Sequence, residues 1–105
     1  MTIAQIPSVP GLYATSDGRI MRGDRTLKPY KNGKGYLQVD LRGDTGRQEL
    51  VHRLIASAFF GDDERPVDHI DGIRTNNNIA NLEYVTTSEN NRRAWKRKKE
   101  KMKWH

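Results

Sequence analysis

The sequence has 105 residues, 34% of them hydrophobic, with a mean hydropathy of −0.90 and a formal net charge of +6. That size and polarity give one domain with a thin core. The lack of cysteine excludes disulfides and thiolate zinc sites, and no apolar run approaches the roughly 20 residues of a membrane helix. The excess charge is confined to residues 88–105, where eight Lys or Arg face two Glu, while the rest of the chain balances eleven basic against eleven acidic side chains. Such a block suits a polyanion, because each phosphate neutralised releases condensed counterions. A solvated, frayed tail is the plainer alternative.

Residues 1–11 lack a basic start followed by an apolar stretch, so no secretion signal is predicted and a cytoplasmic location is expected. Residues 12–16 and 19–22 flank Asp17-Gly18, a dipeptide suited to the positive φ angles of a tight hairpin turn. Asn32-Gly33 and Gly35 mark a second turn. Residues 36–42 alternate, with Leu37, Val39 and Leu41 on one face and Gln38, Asp40 and Arg42 on the other, which predicts a half-buried strand. Residues 43–46 turn the chain, and residues 48–52 return antiparallel. The period then changes: Leu54, Ile55, Ala58 and Phe59 fall on one helical face.

After a polar break at residues 61–65, residues 66–70 predict a short strand with Pro66 at its start, where the missing N–H does least harm. Residues 71–80, with Gly72 and the run Asn76-Asn77-Asn78, predict a compact loop held by its own amides. Residues 82–85 predict a second short strand. Thr86 with Glu89 makes a capping box that starts a helix towards Met102. Trp95 and Met102, with Ala94 beside them, are expected to dock that helix on the strands and leave its other faces basic and wet.

The second half thus reads strand, loop, strand, helix, with its unusual residues at the junctions. Asp68-His69 closes the first strand, Asn81 opens the second, and Asn90 lies near the start of the helix. The stretches Val67-Asp68-His69-Ile70-Asp71-Gly72, Asn76-Asn77, Asn81-Leu82-Glu83-Tyr84-Val85-Thr86 and Glu89-Asn90-Asn91 together resemble the HNH endonucleases. The closest likeness is to the phage homing type, whose third motif residue is Asn. His52-Arg53-Leu54-Ile55 followed by Ala58-Phe59 is similar to that subgroup's lead-in. Gly11-Leu12-Tyr13-Ala14-Thr15-Ser16-Asp17-Gly18-Arg19-Ile20 is similar to a short module often fused to these nucleases, without its usual leading Trp.

The resemblance implies an α+β fold, with an N-terminal antiparallel β-sheet module over residues 1–50. A ββα-metal nuclease unit over residues 51–105 would follow it and end in a basic C-terminal helix. It further implies that the middle Asn, Asn81, braces the loop and holds His69 by hydrogen bonding without touching a metal. Products with 5′-phosphate and 3′-hydroxyl ends are expected from the same likeness.

Hydrolysis of a phosphodiester asks for these residue types in its own right. It needs a nucleophile made from water, stabilisation of charge on the phosphate, and a stabilised leaving oxygen. An imidazole with an ordinary pKa of about 6.5 is a base at neutral pH, which assigns His69 as general base. A divalent ion serves the other two needs. Asp68, on the opposite strand face from His69, and Asn90 offer hard oxygen atoms. Without a thiolate, and with Asn in place of a second His, the set favours one Mg²⁺ or Mn²⁺ ion that keeps waters and takes substrate phosphate.

Arg92, Arg93, Lys96 and Arg97 are expected to lie along double-stranded DNA whose phosphate occupies that site, positioning it without reading sequence. Arg74 in the loop is a further candidate. His52 either contacts the scissile phosphate or packs as a helix-start histidine, and Asn91 takes the place of Asn90 if the helix register slips by one. Singly, each residue also has a structural explanation, as a strand end, turn or cap; their joint spacing favours catalysis. The rival from another class is a non-catalytic DNA-binding module on a degenerate HNH fold. An RNA-binding protein is a third reading, without the exposed recognition aromatics that class uses. A monomer or weak homodimer is expected, with no membrane partner.

Overall fold

Alternating apolar residues bounded by glycine turns fold the first half into sheets in the computed structural model, which describes residues 1–102, with side chains as far as residue 96 apart from residue 94. The first sheet is an antiparallel meander of β1 (Ile3–Gln5), β2 (Leu12–Thr15), β3 (Ile20–Arg22) and β4 (Arg25–Thr26). Asp17-Gly18 makes the predicted β2–β3 turn, with Gly18 at φ +100°. The second sheet pairs β5 (Tyr30–Lys31), β6 (Leu37–Leu41) and β7 (Arg47–Leu50). In β6, Val39 and Leu41 point inward and Asp40 outward, as the alternation predicts. β1, β4 and β5 are too short to show a pattern; each forms against the open edge of a longer or better packed strand.

At Val51 the chain passes from β7 straight into α1 (Val51–Phe60), a residue earlier than the change of period suggests. The α1 face formed by Val51, Leu54, Ile55 and Ala58 packs into one core with Ile6, Leu12, Ile20, Val39, Leu41 and Leu82. That core therefore draws on both sheets and on the hairpin that follows. The hairpin is β8 (Val67–His69) against β9 (Leu82–Tyr84), with Asp68 opposite Glu83 and His69 opposite Leu82. Next comes α2 (Thr87–Met102), capped by Thr86 Oγ1, which accepts from the Glu89 amide at 3.1 Å. The whole is an α+β fold ending in a ββα unit.

Two polar devices set the hairpin in place. Arg53 on α1 donates to the carbonyls of Asp63 and Arg65 at 2.7 and 2.5 Å. Its guanidinium and that of Arg65 each lie 5.7 Å from the Tyr84 ring centroid, while the Tyr84 hydroxyl donates to the Gly61 carbonyl at 2.9 Å. The α1–β8 connection is thereby latched to β9. At the other end, α2 is tied to β8 by an ion pair between Arg93 and Asp68. Here the apolar docking expected of Trp95 is not found: the residue is 62% exposed, and among the described side chains the tie to β8 is the charged one at Arg93. Met102, the other member of that stripe, lies outside the described side chains.

Ile55 is fully buried at the centre of the core. Ile55→Ala is expected to lower unfolding free energy by about 2–5 kcal/mol, through lost transfer energy and the cavity left behind. Urea titrations check this as a fall in midpoint at constant slope.

Candidate active site

β8 alternates like any strand, so its last two side chains leave on opposite faces. Both are covered, Asp68 and His69 each being 4% exposed. His69 enters a pocket of rings. Its centroid is 5.0 Å from that of His52 at the start of α1 and 6.0 Å from that of Tyr36, and Tyr36 and His52 are 5.1 Å apart. Tyr36 is brought there by a tight β5–β6 turn in which Asn32 Oδ1 accepts from the Lys34 and Tyr36 amides at 2.9 and 3.1 Å. Arg74 stacks on the outer side of Tyr36, 4.9 Å from its centroid, and donates to the Lys34 carbonyl.

The His69 ring is held by Asn77, whose Oδ1 lies 2.8 Å from His69 Nε2. An amide oxygen only accepts, so with Asn77 Oδ1 towards the ring this bond requires the tautomer that carries its proton on Nε2. The expected partner was Asn81, and the structure assigns that residue differently. Asn81 Nδ2 donates to Asp71 Oδ1 and to the Asn76 carbonyl, both at 2.9 Å, and its Oδ1 accepts from the Asp71 amide at 3.0 Å. Asn81 braces the loop, as expected, while the bond to the imidazole is made by Asn77. The reason is reach: Asn81 sits at the foot of β9 beside Asp71, whereas Asn77 is turned into the core at 3% exposure. Asp71 anchors the loop further, accepting from Ile73 N and Asn76 Nδ2 at 2.8 Å. The Asn76 amide, followed by the Ile73 amide, holds its carboxyl below the usual aspartate value.

On the opposite face, Asp68 Oδ2 accepts from Arg93 Nη1 at 2.8 Å. Arg93 also pairs with Glu83 on β9 and with Glu89 one turn earlier on α2. These bonds, that to Asp68 first, push the Arg93 guanidinium further above its ordinary value. Arg93 was expected along DNA; instead its donors are directed to three carboxylates of the protein. One guanidinium thus ties β8, β9 and the first turns of α2 together. Asn90 is half-buried, one turn before Arg93, on the helix face that meets β8. Among the described residues, no three His, Asp or Glu converge as a closed metal cage, so a cation here would rest on few protein oxygens.

Arg92 and Lys96 are exposed on α2 and Arg74 is exposed on the loop; the Arg97 side chain lies outside those described. A hollow of about 930 Å³ lined by Asn32, Lys34, Tyr36, Gln38, Arg53 and Ser57 shares only Tyr36 with the ring pocket. Sequence reasoning missed both Asn77 and Tyr36. Tyr36 reads as the start of an ordinary strand, and nothing in the run of three asparagines marks its middle member.

Strand, asparagine-braced loop, strand and helix, with an Asp-His pair at the strand end, define the ββα class of nuclease scaffold. Comparison with known proteins makes the family specific. Residues 49–92 match the family model of HNH endonucleases, and the chain belongs to that family. Two uncharacterized HNH endonucleases of Acanthamoeba polyphaga mimivirus are 38% and 35% identical to it over 72% and 76% of its length. An SPbeta prophage-derived protein of Bacillus subtilis, YosQ, named as an HNH homing endonuclease, is 49% identical over 45% of the chain. The chain spans only 24%, 22% and 28% of these three relatives. A solved structure describing DNA binding and cleavage by the HNH homing endonuclease I-HmuI superposes with a TM-score of 0.76 at 30% identity, covering 92% of this chain and 59% of that one.

His52 titrates far from the ordinary histidine range. Burial, then the charges of His69 and Arg53, hold its pKa down to about 4. The unfolded chain takes up this proton near pH 6.5. Stability is therefore full above that pH and is lost as the pH falls towards about 4, by roughly 3 kcal/mol. Urea melts at about pH 7 and about pH 4.5 should show a smaller loss in His52→Gln than in the wild type. An equal loss in both would assign the acid sensitivity elsewhere.

Proposed function

We propose that this chain is a metal-dependent endonuclease that hydrolyses phosphodiester bonds of double-stranded DNA, with His69 as general base. The observation that carries the reading is the His69–Asn77 hydrogen bond of 2.8 Å, which supports Nδ1 as the proton acceptor of an imidazole beside Asp68. Support comes also from the family, from the I-HmuI likeness, and from the basic charge gathered after Asn90.

In this mechanism His69 Nδ1 removes a proton from the attacking water as its oxygen bonds to phosphorus. The P–O3′ bond breaks, leaving a 5′-phosphate on one fragment and a 3′-hydroxyl on the other once the leaving oxygen is protonated. Asn77 keeps the ring aimed while it carries the extra proton. Asp68 and Asn90 offer the carboxylate and amide oxygens that would hold Mg²⁺ or Mn²⁺, a donor set suited to a hard ion. Such an ion, when bound, would supply stabilisation of the negative charge that builds during cleavage. Asn81 and Asp71 keep the loop closed beneath the site. Arg92, Lys96 and Arg74 meet backbone phosphates, holding the duplex in register without selecting sequence.

One observation favours a second reading, a non-catalytic DNA-binding module: Asp68 Oδ2 is already paired with Arg93. Plasmid incubated with Mg²⁺ or Mn²⁺ separates the two. Nicking or linearisation that EDTA stops, and that His69→Ala abolishes while DNA binding survives, supports the nuclease. Intact plasmid at every metal concentration supports the binding module, and a His69→Ala protein that cuts at the wild-type rate overturns the base assignment. Deleting residues 96–105, which carry six Lys or Arg and one Glu, should weaken DNA binding and flatten its salt dependence. An unchanged slope of log affinity against log salt would remove that segment from the interface.

A further inference from the structure

We infer that Asn77 is the positioning residue of the general base, and that the β2–β3 turn of the first sheet is built to hold Asn77 in place. The inference rests on the reading of His69 as base. Four asparagines serve the stretch between β8 and β9, and three of them hold the loop itself. Asn78 Oδ1 accepts from the Ala80 amide at 3.0 Å, Asn76 bonds Asp71, and Asn81 bonds Asp71 and the Asn76 carbonyl. Asn77 alone turns its oxygen on the imidazole.

Its Nδ2 is buried and, among the described residues, is one of two buried side-chain polar atoms without a hydrogen-bond partner, His52 Nδ1 being the other. Burying an amide on those terms is unfavourable. A loop selected for stability alone would carry an apolar residue there. The cost is understandable where the oxygen has a task, which is to keep the proton on Nε2 and the ring at a fixed angle.

The first sheet supplies the other half of the device. A Cβ on Gly18 would come within 2.9 Å of the Asn77 carbonyl carbon, 3.0 Å of its oxygen and 3.2 Å of its Cβ. The turn therefore lies flush against the Asn77 backbone, and its φ of +100° also calls for glycine. Two residues further on, the Ile79 amide donates to the Ser16 carbonyl at 2.9 Å. The turn is itself locked by fully buried Thr15: the Arg19 amide donates to Thr15 Oγ1 at 2.9 Å and the Gly18 amide to the Thr15 carbonyl at 3.1 Å. A rigid hairpin from the start of the chain thus backs the asparagine that aims the histidine.

The test combines kinetics with NMR of the imidazole. Asn77→Ala should lower kcat by about 10- to 100-fold, the usual effect of losing a partner that orients an active-site ligand, with KM unchanged. Asn77→Asp, which keeps an acceptor, should recover most of that loss. Gly18→Ala should lower kcat in the same sense at a temperature where circular dichroism shows it folded. In wild type and Asn77→Asp, the His69 Nε2–H proton should appear as a slowly exchanging downfield signal, and it should be absent in Asn77→Ala.

Wild-type kcat in Asn77→Ala, with His69→Ala inactive, overturns the proposal. So does a wild-type spectrum that places the His69 proton on Nδ1, a result that decides the matter even if Asn77→Ala does not fold. Cleavage by His69→Ala is a different failure: it removes the base assignment, while the spectrum still decides whether Asn77 holds the ring.

Discussion

A strand can serve two environments at once only if both of its faces are covered, and β8 is covered on both. Its alternation sends His69 into a pocket of rings closed by Tyr36 and His52, and sends Asp68 towards Arg93 on α2. Each side chain is fixed by partners that come from elsewhere in the chain, so neither depends on the short strand for its aim. Three residues of β8 paired with three of β9 would be marginal alone. The hairpin is held by what surrounds it: Leu82 in the common core, the Arg53–Tyr84–Arg65 latch, and the loop bonds centred on Asp71.

The first sheet has a part in this beyond packing. A thin hydrophobic core is what the composition allows, and it is pooled: Ile6, Leu12 and Ile20 meet α1 and Leu82 rather than closing a core of their own. Residues before and after the β7–α1 junction are therefore stabilised together. The Gly18 turn reaches beyond the apolar contacts to the loop that carries Asn77, so the accuracy of the site and the stability of the fold share the same contacts.

Much of this was legible beforehand, for identifiable reasons. β6 and α1 carry clean periods of two and 3.6, and the Asp17-Gly18 turn and the Thr86 cap are local devices whose chemistry does not depend on context. The Asp68-His69 pair with Asn81 and Asn90 stands out through its resemblance to the HNH motif. What escaped depended on three-dimensional choice. Which of four nearby asparagines meets the imidazole is decided by the path of the loop, and the sequence treats them alike. Trp95 was expected inside because an amphipathic pattern assumes apolar docking, and a charged tie at Arg93 made that unnecessary. Arg93 read as one more member of a basic run because nothing local shows that Asp68 and Glu83 come within its reach.

The arrangement around Arg93 has a consequence for how this corner tolerates change. One guanidinium answers to Asp68, Glu83 and Glu89, drawn from β8, β9 and α2. Replacing the arginine removes three ion pairs at once, whereas losing Glu83 or Glu89 removes one. Substitution at position 93 should therefore loosen β8, β9 and α2 together, while Glu83 and Glu89 are the positions where a change is borne singly.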